Sequence, residues 1–152
     1  MSIAIREART TDIPAVAEMF DLYRQFYEQP PDLRLAQQFI ADRLSNCESV
    51  ILVAESASSG MLGFCQLYPS FCSVEAKPIY SLYDLFVLPV ARKAGVGRML
   101  LLAAENKAAA EGKARMDLTT ARTNKAAQSL YESLSWERDE IFFAYNRRVT
   151  RS

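Results

Sequence analysis

Histidine is absent from this chain of 152 residues. Its absence excludes Ser-His-Asp and Cys-His nucleophile systems and the common histidine-based zinc sites. Any proton acceptor must be a carboxylate, a tyrosine, a lysine, water or the backbone. Cysteine is scarce: Cys47, Cys65 and Cys72 form neither a C-x-x-C pair nor an even framework, so they read as reduced thiols to which no function is assigned. Net charge is missing too, because 18 basic side chains match 18 acidic ones, which argues against a general nucleic-acid or membrane-surface binder. No apolar run approaches the length of a membrane span, and MSIAIREART lacks the long apolar region of a secretory signal. The expectation is a soluble cytoplasmic protein with no metal site and neither nucleic acid nor membrane as partner.

Half of the residues are apolar, enough at this length for one sizeable core, so the chain reads as one domain, 1–152. Ile3 to Glu7 alternates as a strand does, and Thr10-Thr11-Asp12 offers caps before Ile13, Val16, Ala17, Phe20 and Tyr23 at helical spacing. Gln29-Pro30-Pro31 breaks the chain, and Asp32 caps a second helix through Leu35, Phe39, Ile40 and Leu44. Val50 to Val53 and Met61 to Tyr68 read as two antiparallel strands around the turn Ala57 to Gly60. Tyr68 to Ser73 then reads as an irregular link, and Ile79 to Leu88 as the central strand. After a helix from Val96 to about Ala110 come a strand from Met116 to Thr120, a helix from Asn124 to Leu134 and a closing hairpin that includes Ile141 to Tyr145. The order β-α-α-β-β-β-α-β-α-β-β describes an α/β layered domain with a mixed sheet.

Chemistry is expected where the central strand joins the third helix. Pro89 ends the strand because proline cannot donate to a ladder. Arg92, Lys93 and Arg98 follow, interleaved with Gly95 and Gly97. The glycines permit a tight turn and a close approach to a ligand, and a helix N-terminus offers unpaired N–H groups at its positive end. With three cations around it, this turn is an anion site suited to phosphate. A dinucleotide fingerprint is the structural rival, since Asp117 lies about 20 residues beyond Gly97. It fits poorly: Leu100 stands where the third glycine belongs, and Asp117 falls inside the next strand.

The run Asp84-Leu85-Phe86-Val87-x-Pro89-x-x-Arg92-x-x-Gly95-Val96-Gly97 resembles the acyl-CoA signature of the GCN5-related N-acetyltransferases. Asn124-x-x-Ala127-x-x-Leu130-Tyr131-x-x-Leu134-x-Trp136 is similar to the family's later motif, with Ser135 in place of the usual glycine. The resemblance implies a mixed, mostly antiparallel sheet of about seven strands flanked by four helices. It also implies acetyl-CoA as co-substrate, an amine acceptor and a homodimer, for which the aromatic run Phe142 to Tyr145 offers apolar surface.

The resemblance further places coenzyme A pyrophosphate on Arg92, Lys93, Ala94, Gly95, Val96, Gly97 and Arg98. Backbone groups of Leu85 and Val87 would pair with pantetheine like an added strand, and the Val87 N–H would polarise the thioester carbonyl. Asn124 and Ala127 would contact the pantetheine arm, and Tyr131 would protonate the departing thiolate. Tyr27, Glu28, Gln66, Tyr68 and Tyr83 are candidates for the acceptor wall, each with an ordinary packing or surface reading beside it.

The base stays open. Polyamine-acetylating relatives have a glutamate where this chain has Tyr83. Asp84 follows, and strand alternation places it with Leu82 and Phe86, opposite Tyr83, as either a base or a buried structural acceptor. Glu75 could act through water. The leading expectation is direct acetyl transfer to a primary amine of a polyamine, an amino-acid-like molecule or a peptide. The alternative is an acyl-CoA-binding module without turnover.

Overall fold

Alternation in Ile3–Glu7 produces strand β1 in the computed structural model of the protein, which describes residues 2–150. Arg6 on this strand reaches both Asp12, at 2.7 Å, and Glu55, at 2.7 Å, and so ties the entry of the first helix to the sheet. Helix α1 spans Ile13–Phe26 and helix α2 spans Leu33–Ser45. Asp32 caps α2 as its position requires, accepting from the Leu35 N–H at 3.1 Å.

Three strands follow: β2 at Val50–Ser56, β3 at Gly60–Cys72 and β4 at Lys77–Val87. Helix α3 covers Val96–Ala110, β5 is the short pair Met116–Asp117, and α4 covers Lys125–Ser133. The sheet order is β1-β2-β3-β4-β5, antiparallel through β4 and parallel between β4 and β5.

Helical periodicity on α1 and α2 turns Val16, Phe20, Ala36 and Ile40 onto Ile51, Val53, Phe64 and Phe86 of the sheet. Full burial of each such Val, Ile or Phe side chain is worth about 1.5–3 kcal/mol. Strand alternation sends Cys65 and Leu67 to the other face. There α3, which packs on β2, β3 and β4, contributes the buried Val96, Leu100, Leu101 and Ala104. The protein divides into two compact units, Met1–Thr119 with the sheet and α1 to α3, and Thr120–Ser152 with α4.

Several expectations change. The sheet has five strands among the described residues, not about seven. Ile141 to Tyr145 forms no strand. The Asp139 carboxylate takes the N–H groups of Ile141, at 2.8 Å, and Phe142, at 3.0 Å, into a local turn and so removes two ladder donors. The strand expected at Met116 to Thr120 ends at Asp117. Tyr68 to Cys72 is not an irregular link but the continuation of β3, paired through to Lys77 of β4. Among the described residues no helix is long and apolar enough to cross a membrane.

Candidate active site

β4 and β5 part early, and that parting creates the opening. Only Tyr80 and Ser81 of β4 pair with β5, through Met116 and Asp117. The rest of β4, from Leu82 to Val87, therefore has no strand partner on that side among the described residues. Its hydrogen-bonding direction follows from the ladder. Leu88 N–H donates to Leu62 O at 2.9 Å, and Gly63 stands opposite Val87 in the same register. Antiparallel pairs alternate between bonded and non-bonded, so the backbone groups of Val87 and Leu85 point away from β3, toward the opening. The Arg92 side chain reports that direction by donating to the Val87 carbonyl at 3.0 Å.

The turn after β4 runs straight into α3. Lys93 and Gly95 both have positive φ, 68° and 81°, and Gly95 is the N-cap of the helix. Glycine is suited to this left-handed position, whereas Lys93 holds it at a cost. The first helical bond is Met99 N–H to Gly95 O at 3.0 Å. The N–H groups of Val96, Gly97 and Arg98 consequently have no partner within the helix, and they lie at its positive end. Lys93 and Arg98 are exposed and enter no ion pair among the described residues. Unpaired donors, a left-handed glycine and uncommitted cations fit a diphosphate, and the outward N–H groups of Leu85 and Val87 fit the amide-bearing arm of coenzyme A.

A bulge in β4 rearranges the residues beside this turn. Gln66 pairs with Asp84 while Leu67 pairs with Leu82, so Tyr83 is the extra residue. Gln66 and Leu67 point to opposite faces, hence Leu82 and Asp84 do too. The expected grouping of Asp84 with Leu82, opposite Tyr83, is thus corrected: unbroken alternation fails across a bulge. Tyr83 and Tyr68 make ring contact at 5.6 Å between centroids, and Asp84 lies with Phe64 and Phe86 on the α1 face.

Asp84 is buried and its partners are neutral. The Gln66 side-chain amide donates to its carboxylate, and Ser49 Oγ donates to Gln66 Oε1 at 2.7 Å. Tyr23 Oη donates to the Tyr83 carbonyl at 3.1 Å and lies beside Asp84. Burial raises the Asp84 carboxyl above the ordinary aspartate value, against the lowering effect of its hydrogen bonds to Gln66 and Tyr23. Burial, with Asp84 close by, raises the Tyr23 and Tyr68 phenols as well. A carboxyl raised in this way accepts a proton more readily than an ordinary aspartate does.

The other expected residues separate clearly. Gln66 is fully buried, behind Asp84, and does not reach the surface. Tyr68 is half-buried, while Tyr27, Glu28 and Tyr83 are exposed. Glu75 is committed to Arg115 at 3.1 Å. Tyr23 was legible only as a core-stripe residue, and the signal was a phenol on an otherwise apolar face of α1. Gly63 carried no signal at all: a Cβ there would lie 2.7 Å from the Phe86 carbonyl, so β3 and β4 approach closely opposite Val87.

Within Thr120–Ser152, Asn124 caps α4 by accepting the Ala127 N–H at 3.2 Å. Tyr131 is half-buried, and its ring lies 6.0 Å from that of Trp136. Ser135 has φ 68°, and the Trp136 N–H closes back on Tyr131 O at 3.0 Å. That left-handed helix stop is the physical reason for a glycine at this point of the motif.

Residues 15–136 match the acetyltransferase (GNAT) family. The chain is 48% identical over 141 residues to YhfO of Bacillus subtilis (strain 168), an uncharacterized N-acetyltransferase, with 93% of this chain and 94% of that protein covered. A crystal structure of a probable acetyltransferase is similar over 100% of both chains, at 33% identity and a TM-score of 0.89. AAC(6')-Iy, solved with the bisubstrate analog CoA-S-monomethyl-acetylneamine, shares the fold at 20% identity and a TM-score of 0.80, over 98% of this chain and 100% of that one. With a match that spans most of its length and a relative of almost half identity, this chain belongs to the acetyltransferase (GNAT) family and is an enzyme of the N-acetyltransferase type.

Proposed function

We propose that the whole chain, 1–152, works as one acetyl-CoA-dependent N-acetyltransferase domain that transfers acetyl directly to a primary amine. The observation that carries this reading is the parting of β4 from β5 beside the Gly95 turn, which leaves strand-like donors and a helix N-terminus side by side. Arg92 to Arg98 hold the diphosphate of coenzyme A. Leu85 and Val87 pair with its arm, and the Val87 N–H faces the carbonyl that gains negative charge. One such preorganised donor is worth about 2.7–4 kcal/mol in other acyl-transfer enzymes. Asn124 and Ala127 complete the cofactor contacts.

Acetyl-CoA supplies an activated thioester. The acceptor ammonium first loses a proton, for which Asp84 is the base favoured by its raised carboxyl. Its nitrogen then forms the bond to the acetyl carbon as the carbon–sulfur bond breaks; Tyr131 gives its proton to the departing thiolate, and the second proton, shed by the nitrogen as it becomes an amide, passes through water to restore the Tyr131 phenol. No acyl-enzyme is needed. Tyr27, Tyr68 and Tyr83 belong to the acceptor wall, and Glu28 lies at its mouth. The acceptor is a small amine, polyamine or amino-acid-like, or the amine of a peptide. The enzyme works in the cytoplasm, as a homodimer.

Calorimetric titration with acetyl-CoA tests the cofactor site, with Gly97→Glu as the variant that blocks and repels the diphosphate. Binding by the parent and not by the variant is the expected result. Free thiol released in proportion to acetylated amine, and reduced in Tyr131→Phe, is the expected result for turnover. Failure of the parent to bind acetyl-CoA overturns the reading.

A further inference from the structure

A buried carboxylate without a cation is costly, and a protein that keeps one has a reason for it. The buried Asp12 meets Arg6 at 2.7 Å. Asp84 meets only Gln66 and Tyr23, and none of the ion pairs among the described residues includes it. Its surroundings are aromatic. Tyr23 sits beside it, with Tyr27 5.1 Å from the Tyr23 ring, and Tyr68 and Tyr83 form a second ring pair 5.6 Å apart. The hydrogen bond from Tyr23 Oη to the Tyr83 carbonyl, at 3.1 Å, joins the two pairs.

The outer members are open to solvent: Tyr83 is 67% exposed, Phe26 59% and Tyr27 47%. Phe26 stacks edge-on to Tyr27 at 5.2 Å and extends the aromatic rim. Asp84 lies beside the Tyr23 hydroxyl and close to Tyr68, within this group of rings. Tyrosine faces attract an ammonium through the ring quadrupole, and exposed rings attract an apolar body. Glu48, close to Tyr68, is held by Arg43 at 3.0 Å, and Glu28 at the mouth is exposed to solvent, so Asp84 is the one buried carboxylate of the cluster and matches a single ammonium.

We propose that Tyr23, Tyr27, Tyr68 and Tyr83 over Asp84 form the acceptor site, and that it takes a monoamine with an aromatic or other apolar body in preference to a polyamine. The ammonium occupies the tyrosine-lined end and the apolar body lies on Tyr83, Tyr27 and Phe26. This inference rests on the N-acetyltransferase reading and narrows its acceptor class.

The test compares 2-phenylethylamine with spermidine as acceptors at saturating acetyl-CoA. Acetyl-CoA binding is measured separately by calorimetry on the parent, Tyr83→Leu and Tyr27→Leu. We expect kcat/KM for phenylethylamine at least about tenfold above that for spermidine, and a KM for phenylethylamine raised about tenfold in either variant, with acetyl-CoA affinity unchanged. Turnover that favours spermidine, or a KM unmoved by both substitutions, overturns the proposal and leaves the acetyltransferase reading intact. A parent that binds no acetyl-CoA overturns both. A variant that loses acetyl-CoA binding is replaced by Tyr83→Phe, which keeps the ring and is expected to keep the KM of the parent.

Discussion

The side-chain amide of Gln66 on β3 donates to the carboxylate of Asp84 on β4, directly opposite in the ladder, and both residues are buried. This bond fixes the carboxylate's orientation and leaves its other side toward Tyr23. It also makes Asp84 the residue whose removal tells most about the chemistry.

Asp84→Asn preserves volume and can still accept from Gln66, but it cannot take up a proton. It is expected to lower acetyl transfer by about 10²–10⁴-fold, the usual range for a positioned general base. Acetyl-CoA affinity, measured by calorimetry, should not change. A rate loss below about threefold would assign the proton to another acceptor, with water relayed from Glu75 the next to test.

Stability should respond to pH in a direction set by the raised Asp84 carboxyl. A folded-state value above the unfolded one means that the folded protein holds this proton more tightly. Its stabilising contribution is complete below the unfolded value and is lost as pH rises through the folded one, so the ionised group destabilises at neutral pH. Asp84→Asn should therefore gain stability over the parent between about pH 4 and pH 7, as read by urea denaturation at both values. The acidic limb of the parent's rate profile should lie above the ordinary carboxylate range for the same reason. A rate profile flat down to the normal aspartate value would separate Asp84 from the rate.

Asp12 shows the opposite sign. Its hydrogen bonds from Arg6, outweighing burial, hold its carboxyl down to about 2. That contribution is present above the unfolded value and is lost as pH falls toward about 2. Arg6→Met should cost about 2 kcal/mol at neutral pH and progressively less in acid, because the carboxylate it serves becomes protonated. Denaturation curves of parent and variant that stay equally far apart at pH 7 and near pH 2 would show that packing, not the ion pair, carries the loss.

Ser135→Gly is expected to raise stability by roughly 0.5–1 kcal/mol, because a left-handed serine is relieved while the unfolded chain gains some freedom. Gly95→Ala should do the reverse. Its φ is 81° with open space around a new Cβ, so strain alone, about 1–2 kcal/mol, opposes the methyl group. Thermal melting of both variants checks the pair. A destabilised Ser135→Gly would mean that the serine hydroxyl supplies more than the backbone loses.

Much of this protein was legible from local rules. Asp32 and Asn124 were readable as helix caps because capping depends on residues three apart. The turn around Gly95 and the strand that ends before Pro89 were readable because glycine and proline act on their own backbone. The two motifs pointed to the family for the same reason: each is a short stretch whose spacing carries its function.

Tertiary pairing decided the rest. No local pattern announces that Tyr83 is the extra residue of a bulge, since the slip is defined by which residues of β3 stand opposite. That one slip sets the face of Asp84, opposite the buried Gln66, and brings it beside Tyr23 of α1, whose hydroxyl bonds the Tyr83 carbonyl 60 residues away in the chain. Ile141 to Tyr145 has the composition of a strand, yet a strand exists only through partner hydrogen bonds, and here the Asp139 side chain takes two of the donors. The sequence alone thus determined the caps, the turn and the family. The register between distant strands decided the carboxylate and its aromatic surroundings, because hydrogen-bond pairing and burial are properties of residues brought together only by folding.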